Sequence, residues 1–257
     1  PNRIDIIKRL KKKKIPIVSE IEFASWFSKS DIIALTGSNG KTTTVQLIFE
    51  IFKRSQKDVL LGGNVGISYS ENVLYERQTK KSYIHILEIS SYQAEYLYHF
   101  NPKISCLLNI SEDHMDRYSN MNDYITAKLN ITKNLSKKTI LLYNGDDKFL
   151  SKRIQPNSDN IIPFSINEDN MIKYHGSSLQ LKNKRNEFDN PLIGIHNFYN
   201  ILAATKIADL YKIKWKSIVQ AIISFKPLPH RIEFLLSHKG VKYINDSKSP
   251  PLASTIA

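Results

Sequence analysis

Apolar and polar positions follow two rhythms along the 257 residues. Short apolar runs rich in β-branched residues occupy 31–35, 59–61, 83–89, 104–110 and 139–143, and each is long enough for one strand buried on both faces. Amphipathic stretches at 41–50, 123–134, 201–211 and 215–223 repeat at helical spacing, and Ser90-Ser-Tyr-Gln93 opens a further helix. Strands alternating with helices predict an α/β fold: a mostly parallel sheet flanked by helices. Three segments break the rhythm. Residues 1–24 predict a helix, a short strand at 15–18 and a mixed stretch. Residues 151–192 carry short runs at 161–164, 171–174 and 179–181 between polar turns, which predicts an antiparallel β excursion. Pro227-Leu228-Pro229 marks a linker, and 230–248 predicts the start of a hairpin.

The chemistry gathers where strands end. After the run at 31–35 comes Gly37-Ser38-Asn39-Gly40-Lys41-Thr42-Thr43, followed at once by a helix. Strand, glycine loop, Lys-Thr and helix form the layout of a phosphate-binding loop. Glycines let backbone N–H groups approach an anion, and the helix N-terminus adds its positive end. Lys41 would reach phosphate oxygens and the Thr42 hydroxyl a Mg²⁺ ion. The loop is a shortened one, because Leu35 stands where the usual spacing has a glycine. Glu88 closes the strand at 83–89, where α/β nucleotide enzymes place a Mg²⁺ ligand. Ser111-Glu-Asp-His114-Met-Asp-Arg117 follows the strand at 104–110, a cluster suited to metal or phosphate chemistry. Gly62-Gly-Asn64-Val-Gly66 marks a close backbone approach, with the Asn64 amide available to a substrate or a water. Asn197 and Asn200 are three apart, on one helical face suited to a base or ribose edge. Lys128 by itself reads as a solvated lysine.

Composition narrows the picture. The net charge of +13 fits either a polyanionic partner or lysines covering solvated faces. The longest basic run, Lys11-Lys12-Lys13-Lys14, has no interleaved aromatics, and the reading favours no nucleic acid. The single cysteine, Cys106, excludes an internal disulfide and fits a reducing cytoplasm. No apolar run is long enough to insert in a membrane as a spanning helix. A start at Pro1, without Met or leader, predicts a fragment.

Seven motifs stand in order and spacing similar to the Mur ligases: GSNGKTTT (37–44), GGNVG (62–66), LEISSYQAE (87–95), NISEDHMDRY (109–118), YITAKLNI (124–131), GIHNFYN (194–200), and PHRIEF with NDSK (229–234, 245–248). The likeness is greatest to the D-glutamate-adding branch of peptidoglycan synthesis. It implies the tail of an N-terminal UDP-binding domain at 1–24, a P-loop-type central ATPase domain at 25–227, and the start of a C-terminal Rossmann-like domain at 228–257. The implied reaction uses ATP to activate UDP-MurNAc-L-Ala as an acyl phosphate, which D-glutamate then attacks, in a monomeric cytoplasmic enzyme. By the same resemblance Lys41, Glu88, His114, Lys128 and Lys248 are catalytic. Residues 37–43 with Asn197, Asn200, Arg231 and Asp246 bind ATP. Asn64, Ser91, Gln93 and His114 face the muramoyl substrate. Thr42 and Glu88 hold one Mg²⁺, and His114 with a carbamylated Lys128 serves a second.

One departure bears on amino-acid recognition. After Asp246-Ser-Lys248 the family usually continues Ala-Thr-Asn, and this chain has Ser249-Pro250-Pro251, which removes donors and stiffens the loop. Other readings stay open: another Mur ligase or a folylpolyglutamate synthase-like ligase, a P-loop NTPase acting on nucleic acid, or an inactive ATP-binding fragment.

Overall fold

The computed structural model describes residues 4–167, 171–176, 178–181, 187–192, 194–226, 230 and 233–247. Strands β1 (Asp31–Thr36), β2 (Val59–Gly63), β3 (Ile84–Glu88), β4 (Ile104–Leu107), β5 (Ile140–Asn144) and β6 (Ile161–Phe164) form one sheet in the order β2-β3-β1-β4-β5-β6. Every pairing in it is parallel. The helices of this part are α1 (Asp5–Lys12), α2 (Glu20–Ser25), α3 (Lys41–Arg54), α4 (Tyr69–Thr79), α5 (Ser91–Ala94), α6 (Met121–Leu129) and α7 (Lys148–Arg153). Strands β7 (Ile172–Tyr174), β8 (Ser178–Leu181) and β9 (Glu187–Asp189) make a small antiparallel sheet. Helices α8 (Ile195–Leu210) and α9 (Trp215–Ile223) follow, and then the hairpin of β10 (Glu233–His238) and β11 (Val241–Asn245).

Because successive side chains on a strand face opposite ways, the apolar runs feed two cores. Ile33, Leu35, Ile86, Cys106 and Leu142 point into the layer built by α3, α8 and α9. Ile32, Ala34, Leu87, Leu107 and Leu141 point into the layer built by α2 and by the helices α4 to α7. Both faces of the sheet are therefore dry, which is why these strands read as continuous apolar runs.

The structure changes four expectations. Residues 15–18 are not a strand: Pro16 has no donor N–H, and no strand lies beside them among the described residues. The run at 161–164 does not belong to the antiparallel excursion; it is the parallel edge strand β6, where Pro163 is tolerated because one side of the ladder is open. The helix expected at 201–211 starts six residues earlier, with Gly194 as its N-cap, so Asn197 and Asn200 lie inside its first turns. Helix α4 was not expected at all.

One buried acid ties the first helices to the sheet. Glu22 on α2 is fully buried, and its carboxylate accepts the backbone N–H groups of Tyr98, His99 and Phe100, each at 2.9 Å, and the Trp26 indole N–H at 3.0 Å. Burial pushes its pKa up, but these donors outweigh it and hold the group below the ordinary glutamate value.

Candidate functional site

The sheet order places β1 between β3 and β4: the chain runs from β1 to β2 on one side and from β3 to β4 on the other, so the connections leaving the neighbouring strands β1 and β3 diverge. Ligands bind at such switch points, beyond the carboxyl ends of the strands. The ends of β1, β3 and β4 are where the sequence puts its glycine loop, Glu88 and Asn109.

The loop is clasped from the β4 side. Ser38 N–H donates to Asn109 O at 3.0 Å. The Asn109 side chain accepts from Asn39 N–H at 2.8 Å and donates to Asn39 O at 3.0 Å. Ser38 Oγ donates to Ser111 O and accepts from Ser111 N–H, both at 2.9 Å. Gly40 caps α3 in the left-handed region (φ 81°), and a Cβ there would stand 2.1 Å from Asn200 Oδ1. Both conditions require glycine. Asn200 is buried and donates to Asn197 Oδ1 at 3.1 Å, so the first turns of α8 sit against the loop.

Two lysines meet over this backbone. Lys41 Nζ donates to the carbonyls of Gly37 and Ser38, each at 2.8 Å, and Lys128 Nζ donates to Gly37 O at 2.7 Å. Lys128 is not the solvated lysine that its position in the sequence suggests: only 2% of it is exposed. Burial first, and then the Lys41 charge, hold its pKa well below the ordinary lysine value, while Asp113 and Glu88 pull the other way.

Glu88 is 2% exposed, and its Oε1 accepts from the Asn64 amide at 2.8 Å. Its Oε2 is buried without a hydrogen-bond partner. A buried carboxylate oxygen left bare is costly unless a cation or donor completes it. The Asn64 N–H also donates to Glu88 O at 2.8 Å. That approach needs Gly63, which sits at φ 99° where a Cβ would be 2.3 Å from Glu88 O.

Not every expected residue is gathered in. His114 lies in the left-handed region (φ 58°), with Nε2 3.3 Å from Asp113 Oδ2 and its ring 4.9 Å from that of Tyr92. Ser91 is buried, and Gln93 closes a capping box with Ser90, whose N–H and hydroxyl both donate to Gln93 Oε1 at 3.0 Å. Thr42 and Thr43 stand in the first turn of α3, and Asp246 follows β11. Arg231, Lys248, the Pro227–Pro229 linker and the Ser249-Pro250-Pro251 departure lie outside the described residues. Among the described residues no three His, Cys, Asp or Glu side chains gather as a metal cluster. Among the described residues, the bare Glu88 Oε2 is a buried anionic oxygen that one hard cation would complete.

Asn109, Ser111 and Tyr124 stand inside the stretches singled out at 109–118 and 124–131, but sequence reasoning assigned none of them a role of its own. Tyr124 is fully buried, and its hydroxyl lies 3.0 Å from Ser38 Oγ.

Comparisons with known proteins give the family and the fold. Residues 35–208 match the Mur ligase middle domain. The chain is 37% identical over 258 residues to a UDP-N-acetylmuramoylalanine–D-glutamate ligase of Lachnoclostridium phytofermentans, covering 96% of this chain and 56% of that protein. It is also 37% identical to the ligase of the same name from Bacteroides fragilis, over 97% of this chain and 57% of that one. In fold it is similar to MurF from Acinetobacter baumannii, with a TM-score of 0.67 at 20% identity over 88% of this chain and 52% of that one. The chain thus spans a little over half the length of the curated relatives it matches. A match running from the last residues of β1 into α8 takes in the clasped loop, Glu88, Lys128 and the asparagine pair, and the chain belongs to the Mur ligase family.

Proposed function

We propose that this chain carries the ATP-handling part of a ligase that adds D-glutamate to UDP-MurNAc-L-Ala through an acyl phosphate. The observation that carries the reading is the bare, buried Glu88 Oε2 at the strand end beside a clasped phosphate loop. The name shared by the relatives at 37% identity supports the choice of substrates.

The loop N–H groups and the start of α3 bind the phosphates of ATP. Lys41 turns from its loop carbonyls to the transferred phosphoryl group and neutralises charge as it develops there. Glu88 and Thr42 hold Mg²⁺, which when bound supplies charge neutralisation across the phosphates. Asn64 fixes the Glu88 carboxylate through its other oxygen. His114 and Lys128 serve a second Mg²⁺, with Lys128 as its carbamate. Burial and the Lys41 charge favour the neutral amine of Lys128. That amine would add CO₂ by forming an N–C bond while one C=O π pair moves onto oxygen and one N–H proton leaves to water, which turns a donor into an anionic oxygen ligand.

By the family resemblance, Asn197, Asn200, Arg231 and Asp246 are assigned to the adenosine and phosphates, Asn64, Ser91, Gln93 and His114 to the muramoyl substrate, and Lys248 to the incoming glutamate. The substrates are water-soluble, and no helix among the described residues is long and apolar enough to cross a membrane. We place the reaction in the cytoplasm.

Release of ADP and phosphate from MgATP by the full gene product tests this reading. Release is expected only when UDP-MurNAc-L-Ala and D-glutamate are both present. Release driven by another amino acid, or by nucleic acid, would overturn it.

A further inference from the structure

We propose that Tyr124 is a positioning residue that fixes the phosphate loop from α6 by donating its hydroxyl proton to Ser38 Oγ. The inference rests on the nucleotide reading of that loop. It starts from a proton inventory. A serine hydroxyl has one proton and two lone pairs. Ser38 Oγ spends its proton on Ser111 O and one lone pair on Ser111 N–H. The remaining partner is the Tyr124 hydroxyl at 3.0 Å, which must therefore be the donor. Ser38 Oγ is saturated by these three bonds, and no rotation of its hydroxyl frees one without breaking another.

Tyr124 stands four residues before Lys128, so the two share one face of α6. That face touches the loop twice: Tyr124 at Ser38 and Lys128 at Gly37. The Tyr124 ring also lies 4.6 Å from Lys128 Nζ, so the two side chains pack together at the loop. On its other side the ring meets Tyr118 at 5.3 Å and the His114 ring at 6.4 Å. One side chain thus sets the loop against both Lys128 and the His114 segment. Tyr124 touches no phosphate itself; it acts through Ser38.

The test is a double-mutant cycle on MgADP affinity, with melting temperature followed in parallel. Tyr124→Phe keeps the ring and removes the donor. It should weaken MgADP binding about fivefold, or ~1 kcal/mol, the worth of one net hydrogen bond. In a Ser38→Ala background the same change should add nothing, because its route to the nucleotide is gone. Full affinity in Tyr124→Phe, or an undiminished loss in the Ser38→Ala background, would overturn the proposal. If Tyr124→Phe does not fold, Ser38→Ala reads the same bond from its other end, and wild-type affinity there overturns it equally. A wild-type chain that binds no MgADP would instead refute the nucleotide reading.

Discussion

Lys41→Ala is expected to weaken MgADP or MgATP binding by at least about 100-fold, roughly 2.7 kcal/mol, with little change in melting temperature. In the structure Lys41 Nζ holds two carbonyls of its own loop, at Gly37 and Ser38. Those bonds are local, within four residues, and α3 behind them is fixed by Val45, Ile48, Ile51 and Phe52 in the core. The fold does not depend on them. The nucleotide does, because an ammonium paired with phosphate oxygens makes charge-assisted bonds about twice as strong as neutral ones. Removing the side chain also takes away one of the two lysine Nζ donors on Gly37 O. Isothermal titration of the variant checks this, and unchanged affinity would sink the phosphate-loop assignment.

Glu22→Ala is expected to cost about 3–5 kcal/mol of stability and to lower the melting temperature accordingly. It leaves the N–H groups of Tyr98, His99 and Phe100 without the carboxylate that satisfies them, and Phe100 N–H is buried. Glu22→Gln keeps the shape but loses the charge, and should cost about half as much. The pH dependence has a definite sign. Because the folded pKa is depressed, the stabilisation is complete above the ordinary glutamate value near about 4.3 and is lost as pH falls from there through the folded value. Glu76 acts in the same direction: burial raises its pKa, and hydrogen bonds from Ser28 and His85 lower it further than that. Thermal melts between pH 3 and 7 should show stability falling below roughly pH 4.5, less steeply in Glu22→Gln than in wild type. A parallel pair of curves would remove Glu22 from this account.

The parallel sheet was legible because its strands are dry on both faces, so β1, β3, β4 and β5 stand out as apolar runs. Helix α4 was not, because its buried side chains are only Tyr69, Asn72 and Val73, too few for an apolar stripe. Its start was nevertheless written in Ser68-Tyr-Ser-Glu71: the Ser68 hydroxyl accepts the Glu71 N–H at 3.2 Å. The run at 161–164 misled because an edge strand with a proline looks the same in either kind of sheet.

Within the candidate site, residues with recognisable chemistry could be singled out from the sequence, and those that contribute only geometry could not. Lys41 and Glu88 announce themselves by position after a strand. Asn109 and Tyr124 act on a loop 70 and 86 residues away, through bonds that no local spacing encodes. Lys128 looks solvated in sequence because its burial comes from the loop folding over it.

The central claim is that Gly37–Thr43 with Glu88 forms a magnesium–nucleotide site. Titrating this chain with ADP, with and without Mg²⁺, tests it most directly. The account predicts one saturable site whose affinity rises when Mg²⁺ is added, because a cation completes Glu88 Oε2. Absence of binding at millimolar nucleotide, or binding indifferent to Mg²⁺, would contradict it.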